Sequence, residues 1–429
     1  MRLCQTLFGL LCVTLFAAIS LQPSSAATYK VLHQFCADND KCLDGFALTA
    51  PLIRDSGGSL YGIAESGGAF GSGTAFRLSP SKHGDWKLTV LHDFCAENDC
   101  SDGFNPRSPL IVDTSGNLYG VVDANVSHEN GDGLVYELIK PARGGRWKYR
   151  VLYRFCVDLV CDGVSVQAGL AYEGQTSGLP YDGKSLLYGS VGAGGPNGSG
   201  VAFTLAPHKG GWIHTDIYGF CAQPNCTDGG NPVQPFIVKD ANHLIGVTAQ
   251  GGTGGSGVAF TLTKGETGWQ NSVLHAFCSL KHCADGGGSP SSLVTDAEGN
   301  LYGTTPSGGS CTHLFACGTI FKIAPDGTET VLFDFCKKVG GCKVGSDPEA
   351  GLALAPEGTL YGTTVAGGLE GRGTIFSFDG TIKKLHEFCG CNFGGNSRSP
   401  MIIDPDGNLF GVTPQGDTSG GGVIYELIP

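Results

Sequence analysis

The chain is poor in charge: only 15% of its 429 residues are Asp, Glu, Lys or Arg, methionine occurs twice and tryptophan four times. Long amphipathic helices carry far more Ala, Glu, Lys and Leu in 3.6-residue stripes, so composition speaks against a helical protein. No basic block offsets the formal charge of −12, which argues against nucleic acid or an anionic membrane as the main partner. Beyond residue 27 no apolar run approaches the ~18 residues that read as a membrane span. Nucleophile elbows, His-Glu-x-x-His pairs, phosphate loops and dinucleotide fingerprints are all missing, and no cofactor is expected.

Glycine is what the sequence has in excess, 70 residues without the strict three-residue period of collagen. Short β-rich runs between turn residues point to an all-β protein. Residues 1–27 read as a secretory signal peptide. Arg2 is followed by a nearly continuous apolar run from Leu7 to Leu21, then by the small residues Ser24-Ser25-Ala26-Ala27. Residues 28–429 are expected to form one secreted or extracytoplasmic domain, monomeric and without a membrane span once the signal is removed.

Cysteine positions expose a repeat. Phe-Cys dipeptides end at Cys36, Cys95, Cys156, Cys221, Cys278, Cys336 and Cys389, which spreads 353 residues over six intervals, about 59 each. Each has a second cysteine soon after: Cys42, Cys100, Cys161, Cys226, Cys283, Cys342 and Cys391. Cys311 and Cys317 complete the set. Zinc would need a second nearby pair at each site, so local disulfides in an exported protein are the reading, with Cys389-Gly390-Cys391 the strained case whose pairing stays open. No metal site is expected. The Asp-x-x-Gly-Asn motifs lack the alternating acidic ligands of a calcium loop and read as hairpin turns.

Each unit carries four β-like segments, among them Leu-Tyr-Gly (60–62, 118–120, 187–189, 301–303, 360–362) and a closing Val-Leu-His-x-Phe. Seven such units predict a seven-bladed β-propeller of four-stranded blades. The chain begins with a lone fourth-type strand at 29–35 and ends on a third-type strand at 422–428. The N-terminal strand can therefore complete the last blade and close the ring. An open β-solenoid would not leave complementary incomplete units at its two ends.

Gly299-Asn300-Leu301-Tyr302-Gly303-Thr304-Thr305 and Gly318-Thr319-Ile320-Phe321 carry a signature that resembles the GloVer-type extracellular tandem-repeat family of exported bacterial proteins. Members often bear C-terminal anchors, and none is evident here. The resemblance implies export and repeats but no settled activity, so it assigns no catalytic residue.

In a repeat protein, chemistry is sought where one unit departs from its siblings. Three residues after each Leu-Tyr-Gly triplet the units read Glu65, Asp123, Gly192, Ala249, Pro306, Val365 and Pro414, so neighbouring blades one and two alone place carboxylates there. The following loop of blade two contains His128 and Glu129 in place of Gly-Gly. Glu65, Asp123 and His128 are candidate acid–base groups. A second ring, at the start of each innermost strand, reads Thr49, Arg107, Gln167, Val233, Pro290, Glu349 and Arg398. Arg107, Gln167, Glu349 and Arg398, with Glu129, are candidate ligand-binding residues, although Glu349 and Arg398 can also simply pair with each other. Strand order places both rings on the face that carries the Cys loops, and makes the opposite face short and uniform. The expected function is a binding module for an extracellular glycan or protein on the Cys-loop face. The alternatives are an extracellular polysaccharide hydrolase or lyase, and an architectural envelope protein.

Overall fold

The computed structural model describes residues 27–37, 41–124, 132–155, 168–310, 317–336, 342–389, 394–416 and 420–429. Seven antiparallel sheets form a β-propeller, and all but the last run from the innermost strand outward in chain order. Blade one shows the pattern, with strands Ile53–Arg54, Leu60–Ala64, Thr74–Pro80 and Trp86–Asp93. In blade three the innermost strand is reduced to a bridge between Ala171 and Tyr188. The N-terminal strand Thr28–Gln34 pairs antiparallel with Val423–Ile428 and is the outer strand of blade seven.

Seven apolar clusters lie between the blades, one at each junction, and blade seven shares one with blade one. The core is thus a ring of wedges, and no blade buries both its faces alone. The Phe of every Phe-Cys pair is fully buried in these wedges. Its N–H donates to the carbonyl of the glycine that opens the third strand, as in Phe94 N to Gly73 O at 3.0 Å and Phe277 N to Gly257 O at 3.0 Å.

Two sequence signatures follow from this packing. The Leu of Val-Leu-His is a β-bulge. Val90 pairs with Phe76 and His92 with Ala75, so Leu91 is left unpaired and turns into the core. Leu-Tyr-Gly needs its glycine because the third-strand aromatic crosses it: a Cβ on Gly62 would stand 2.7 Å from the Phe76 ring and 2.9 Å from Leu52. The tyrosine ties the hairpin turn, since Tyr119 Oη donates to Asp113, whose carboxylate also accepts from the Ser115 and Asn117 N–H groups. Hairpin geometry accounts for the whole Asp-x-x-Gly-Asn motif.

The Cys loops are held by an aspartate as well as by sulfur. Asp102 accepts from Ala96 and Glu97 N–H, and Asp228 from Ala222 and Gln223 N–H. Disulfides join Cys36 to Cys42, Cys95 to Cys100, Cys221 to Cys226, Cys278 to Cys283 and Cys336 to Cys342. Cys317 and Cys389 are also disulfide-bonded. Cys156, Cys161, Cys311 and Cys391 lie outside the described residues.

The loop aspartate explains the variable His three residues before each cysteine. His33 bonds Asp44 at 3.0 Å, His92 bonds Asp102 at 3.1 Å, and Tyr218 donates to Asp228 at 2.6 Å. Where the loop carries Val344 instead, the partner is Phe333, and the two share an apolar cluster. The position therefore does more than fill space; it matches its own loop. At three blade junctions the same side chain stacks on the residue seven before the next blade's cysteine. His92 stacks on Tyr149 at 4.4 Å, Tyr153 on His214 at 4.5 Å, and His386 on Tyr29 at 3.8 Å.

At the junction of blades four and five that slot holds Glu329. Burial, with Asp285 nearby, pushes its carboxyl up to about 7, and Oε1 is buried without a hydrogen-bond partner among the described residues. A raised acid stays protonated in the folded state while the unfolded chain ionises, so stability is lost as pH rises from the ordinary value of 4.5 to about 7 and stays low above it. Glu329→Gln is expected to remove that loss. Denaturation midpoints of variant and parent should coincide near pH 4 and separate in the variant's favour by pH 8. Equal midpoints at pH 8 would contradict this.

The face opposite the Cys loops is not uniform. The chain between Ala171 and Leu187 in blade three crosses to the channel-side edge of blade two, where Tyr181 N donates to Val112 O and Thr114 N to Tyr181 O, both at 2.9 Å. Its short 3-10 turn Gln175–Ser177 touches Ile237–Asp240 of blade four. This segment flanks a cavity of 980 Å³ on that face. Among the described residues no helix is long and apolar enough to cross a membrane.

Candidate functional site

The Cys-loop face opens into a cavity of 340 Å³ at the mouth of the central channel. One backbone device shapes it. Among the described residues, six of the innermost strands are entered through a residue in the left-handed region: Ala47, Asn105, Asn231, Gly288, Asp347 and Asn396, with φ between 49° and 70°. Asn, Asp and Gly tolerate that conformation best, which explains most of these choices. The corner turns the chain inward and brings the residue two positions later to the channel mouth. Thr49, Arg107, Val233, Glu349 and Arg398 line the cavity as a result. Two residues further on, Pro51, Pro109, Pro235, Ser292, Gly351 and Pro400 make its floor.

The two rings read from the sequence meet here. Glu65, from the ring after Leu-Tyr-Gly, lines the same cavity and accepts from Arg107 Nε at 2.7 Å and Nη2 at 2.5 Å. This pair joins blade one to blade two. Arg398 pairs with Glu349 and joins blade seven to blade six. Both arginines are about half exposed, and such pairs contribute little stability, roughly 0–1 kcal/mol each. Their consequence is orientation, since each guanidinium is held by a carboxylate of the neighbouring blade.

Beside each pair stands a further acid. Burial pushes the Asp123 carboxyl up to about 6; Arg107 opposes the shift and Glu65 adds to it. Asp347 is raised to about 6 in the same way, by burial first, with Glu349 adding and Arg398 opposing. Neither carboxyl has a hydrogen-bond partner among the described residues. Two similar acid–guanidinium–acid groups thus stand at or near the mouth, one on blades one and two and the other on blades six and seven, with Asp123 and Asp347 outside the cavity lining. Between them, the Thr49 hydroxyl is buried and without a partner among the described residues. The arc formed by blades four and five is uncharged: Val233, Gln234, Pro235 and Ser292.

Of the acid–base trio read from the sequence, Glu65 and Asp123 come together around Arg107, whereas His128 lies outside the described residues, as do Glu129 and Gln167. Asp347 was not legible as a site residue. The available signal was its place in the repeat, since it is the only acid among the six described corner residues. Among the described residues no group of three His, Cys, Asp or Glu side chains could hold a metal ion.

Residues 169–344 match the Gloeobacter/Verrucomicrobia repeat, which supports the GloVer-type repeat family indicated by the sequence motifs. No curated protein matches the chain. Among solved structures it is similar to the extracellular domain of a one-component system from B. thetaiotaomicron, with 12% identity and a TM-score of 0.51 over 92% of this chain. It is also similar to the GH74 xyloglucanase from Xanthomonas campestris, with 14% identity and a TM-score of 0.51 over 90% of this chain. The chain spans 40% and 52% of the length of those two structures, and at such identities the likeness concerns the fold alone.

Proposed function

We propose that the protein is an exported propeller that binds an extracellular glycan or protein at the channel mouth on its Cys-loop face. The cavity carries this reading: a concave site with an apolar floor and convergent charged groups held in place by neighbouring blades. Five disulfides between near neighbours suit an oxidising compartment, in keeping with residues 1–27 as an export signal. The mature protein is to be screened on a glycan array and against displayed peptides. A true ligand should change about tenfold or more in affinity when Arg107 and Arg398 are both changed to Ala, falling for a ligand that the guanidiniums hold and rising for a cationic one, with little change in folding stability. Binding that ignores both arginines would sink the mouth as the site.

One observation favours a second reading, hydrolysis of an extracellular polysaccharide. Asp123, raised to about 6, sits beside the arginine-held Glu65, and carboxyls in unlike environments suit acid and base roles. Turnover would then fall as pH climbs through about 6, where Asp123 gives up its proton. It would also be lost in Glu65→Gln and in Asp123→Asn. A ligand that binds and is recovered intact removes this reading. The cavity itself speaks against a purely architectural role.

A further inference from the structure

We infer that the partner at this mouth is a protein, and that it places one basic side chain in the cavity while its apolar neighbours pack on the loops of blade one. The inference rests on the mouth being the binding site.

The balance of hydrogen-bonding groups comes first. Four carboxyls, of Glu65, Asp123, Glu349 and Asp347, surround two guanidinium groups, and both guanidiniums are already engaged by glutamates. Asp123 and Asp347, close to these pairs but outside the cavity lining, have no donor among the described residues and leave an excess of negative charge beside the mouth. An incoming carboxylate or sulfate would meet an excess of like charge, whereas an ammonium or guanidinium in the cavity would balance it. The ligand must bring donors and positive charge.

The walls indicate what carries that charge. Among the described residues no aromatic side chain lines the cavity to stack on a sugar ring. The proline-rich floor and Val233 instead suit an aliphatic stem, the part of a lysine or arginine that packs against apolar surface while its head stays polar.

The surroundings of the mouth supply an independent observation. Leu43, Phe46 and Phe70 are 56%, 36% and 55% exposed. All three sit on loops of blade one on the Cys-loop face, and Phe46 is bridged through its backbone to Ser66, next to Glu65. Large apolar side chains beside a charged pocket are the anatomy of a protein interface. Glycan recognition does not require them.

The test is selection of a phage-displayed cyclic-peptide library on the intact mature protein, followed by binding measurements on the selected peptides. Recovered sequences should contain Lys or Arg flanked by apolar residues. Acetylating the lysine, or replacing the basic residue by Glu, should weaken binding by about tenfold or more. The isosteric Asp123→Asn/Asp347→Asn variant should weaken it comparably, and so should Leu43→Ser/Phe70→Ser, which changes only exposed side chains. Peptides with no basic preference, or peptides indifferent to both variants, would overturn the inference. If no peptide is selected but a glycan binds and is lost in Arg107→Ala/Arg398→Ala, the mouth remains the site and the protein partner is wrong. If neither class binds, the reading of the mouth fails and the inference with it.

Discussion

Removing residues 28–34 is expected to abolish cooperative unfolding and leave an aggregation-prone chain. The strand they form supplies the outer edge of blade seven through six register pairs with Val423–Ile428. Its side chains serve two junctions. Tyr29 and Val31 pack between blades six and seven, while Leu32 joins the cluster shared with blade one. Tyr29 also stacks on His386 and Tyr425. Losing these contacts costs on the order of 5 kcal/mol at ordinary burial values, which rivals the whole stability of a typical domain. Deletion further bares the hydrogen-bonding edge of Val423–Ile428, a template for pairing with another copy. Calorimetry of the truncated protein, with and without a synthetic peptide of residues 28–34, is the measurement. A sharp transition near the parent's temperature without the peptide would show that the ring does not depend on this strand.

Phe94→Ala is expected to cost about 3–5 kcal/mol, the range for emptying an aromatic site in a packed core. Phe94 is fully buried at the junction of blades one and two, edge-on to His92 at 4.9 Å and to Tyr136 at 5.4 Å. Its backbone is pinned by the bond to Gly73, so the ring cannot withdraw and the junction cannot easily collapse onto the gap. Urea denaturation should show a lower midpoint, and Phe94→Leu should recover part of the loss. A midpoint shift no larger than that of a surface substitution would mean that the wedge does not hold this junction.

The blade count was legible because each repeat spends its invariant residues on geometry. Phe-Cys marks the wedge and its loop, Leu-Tyr-Gly marks a glycine crossed by an aromatic ring, and Asp-x-x-Gly-Asn marks a hairpin. Periodicity reveals these because every blade faces the same steric problem. The site was legible only in part. Arg107, Glu65, Glu349 and Arg398 stood out as departures from the repeat, but read strand by strand they fell into separate rings. Only the left-handed corner at Asn105 and its equivalents brings Arg107 across to Glu65 on the next blade. Asp347 escaped because an acid at such a corner is conformationally unremarkable; its meaning comes from burial beside Glu349 and Arg398. The blade-three crossing was also missed. A long link between strands does not announce in sequence that it will pair with the edge of a different blade.

The residues that meet across each junction have a bearing on assembly. Seven near-copies in one chain risk docking in the wrong order, since the wedge Phe and the glycines are shared by all and favour no neighbour. The contacts beside them differ: His92 with Tyr149, Tyr153 with His214, His386 with Tyr29, and apolar Phe333 in a cluster with Ile382. A blade inserted out of turn would set Phe333 against a glutamate, or a histidine against an apolar side chain. Each junction thus carries its own password, checked as the blades close on one another. Deleting a single blade would remove two matched junctions and leave one mismatched, and duplicating one in tandem would insert a mismatched junction, which ties the number of blades to the sequence of their edges as firmly as to the curvature of the ring.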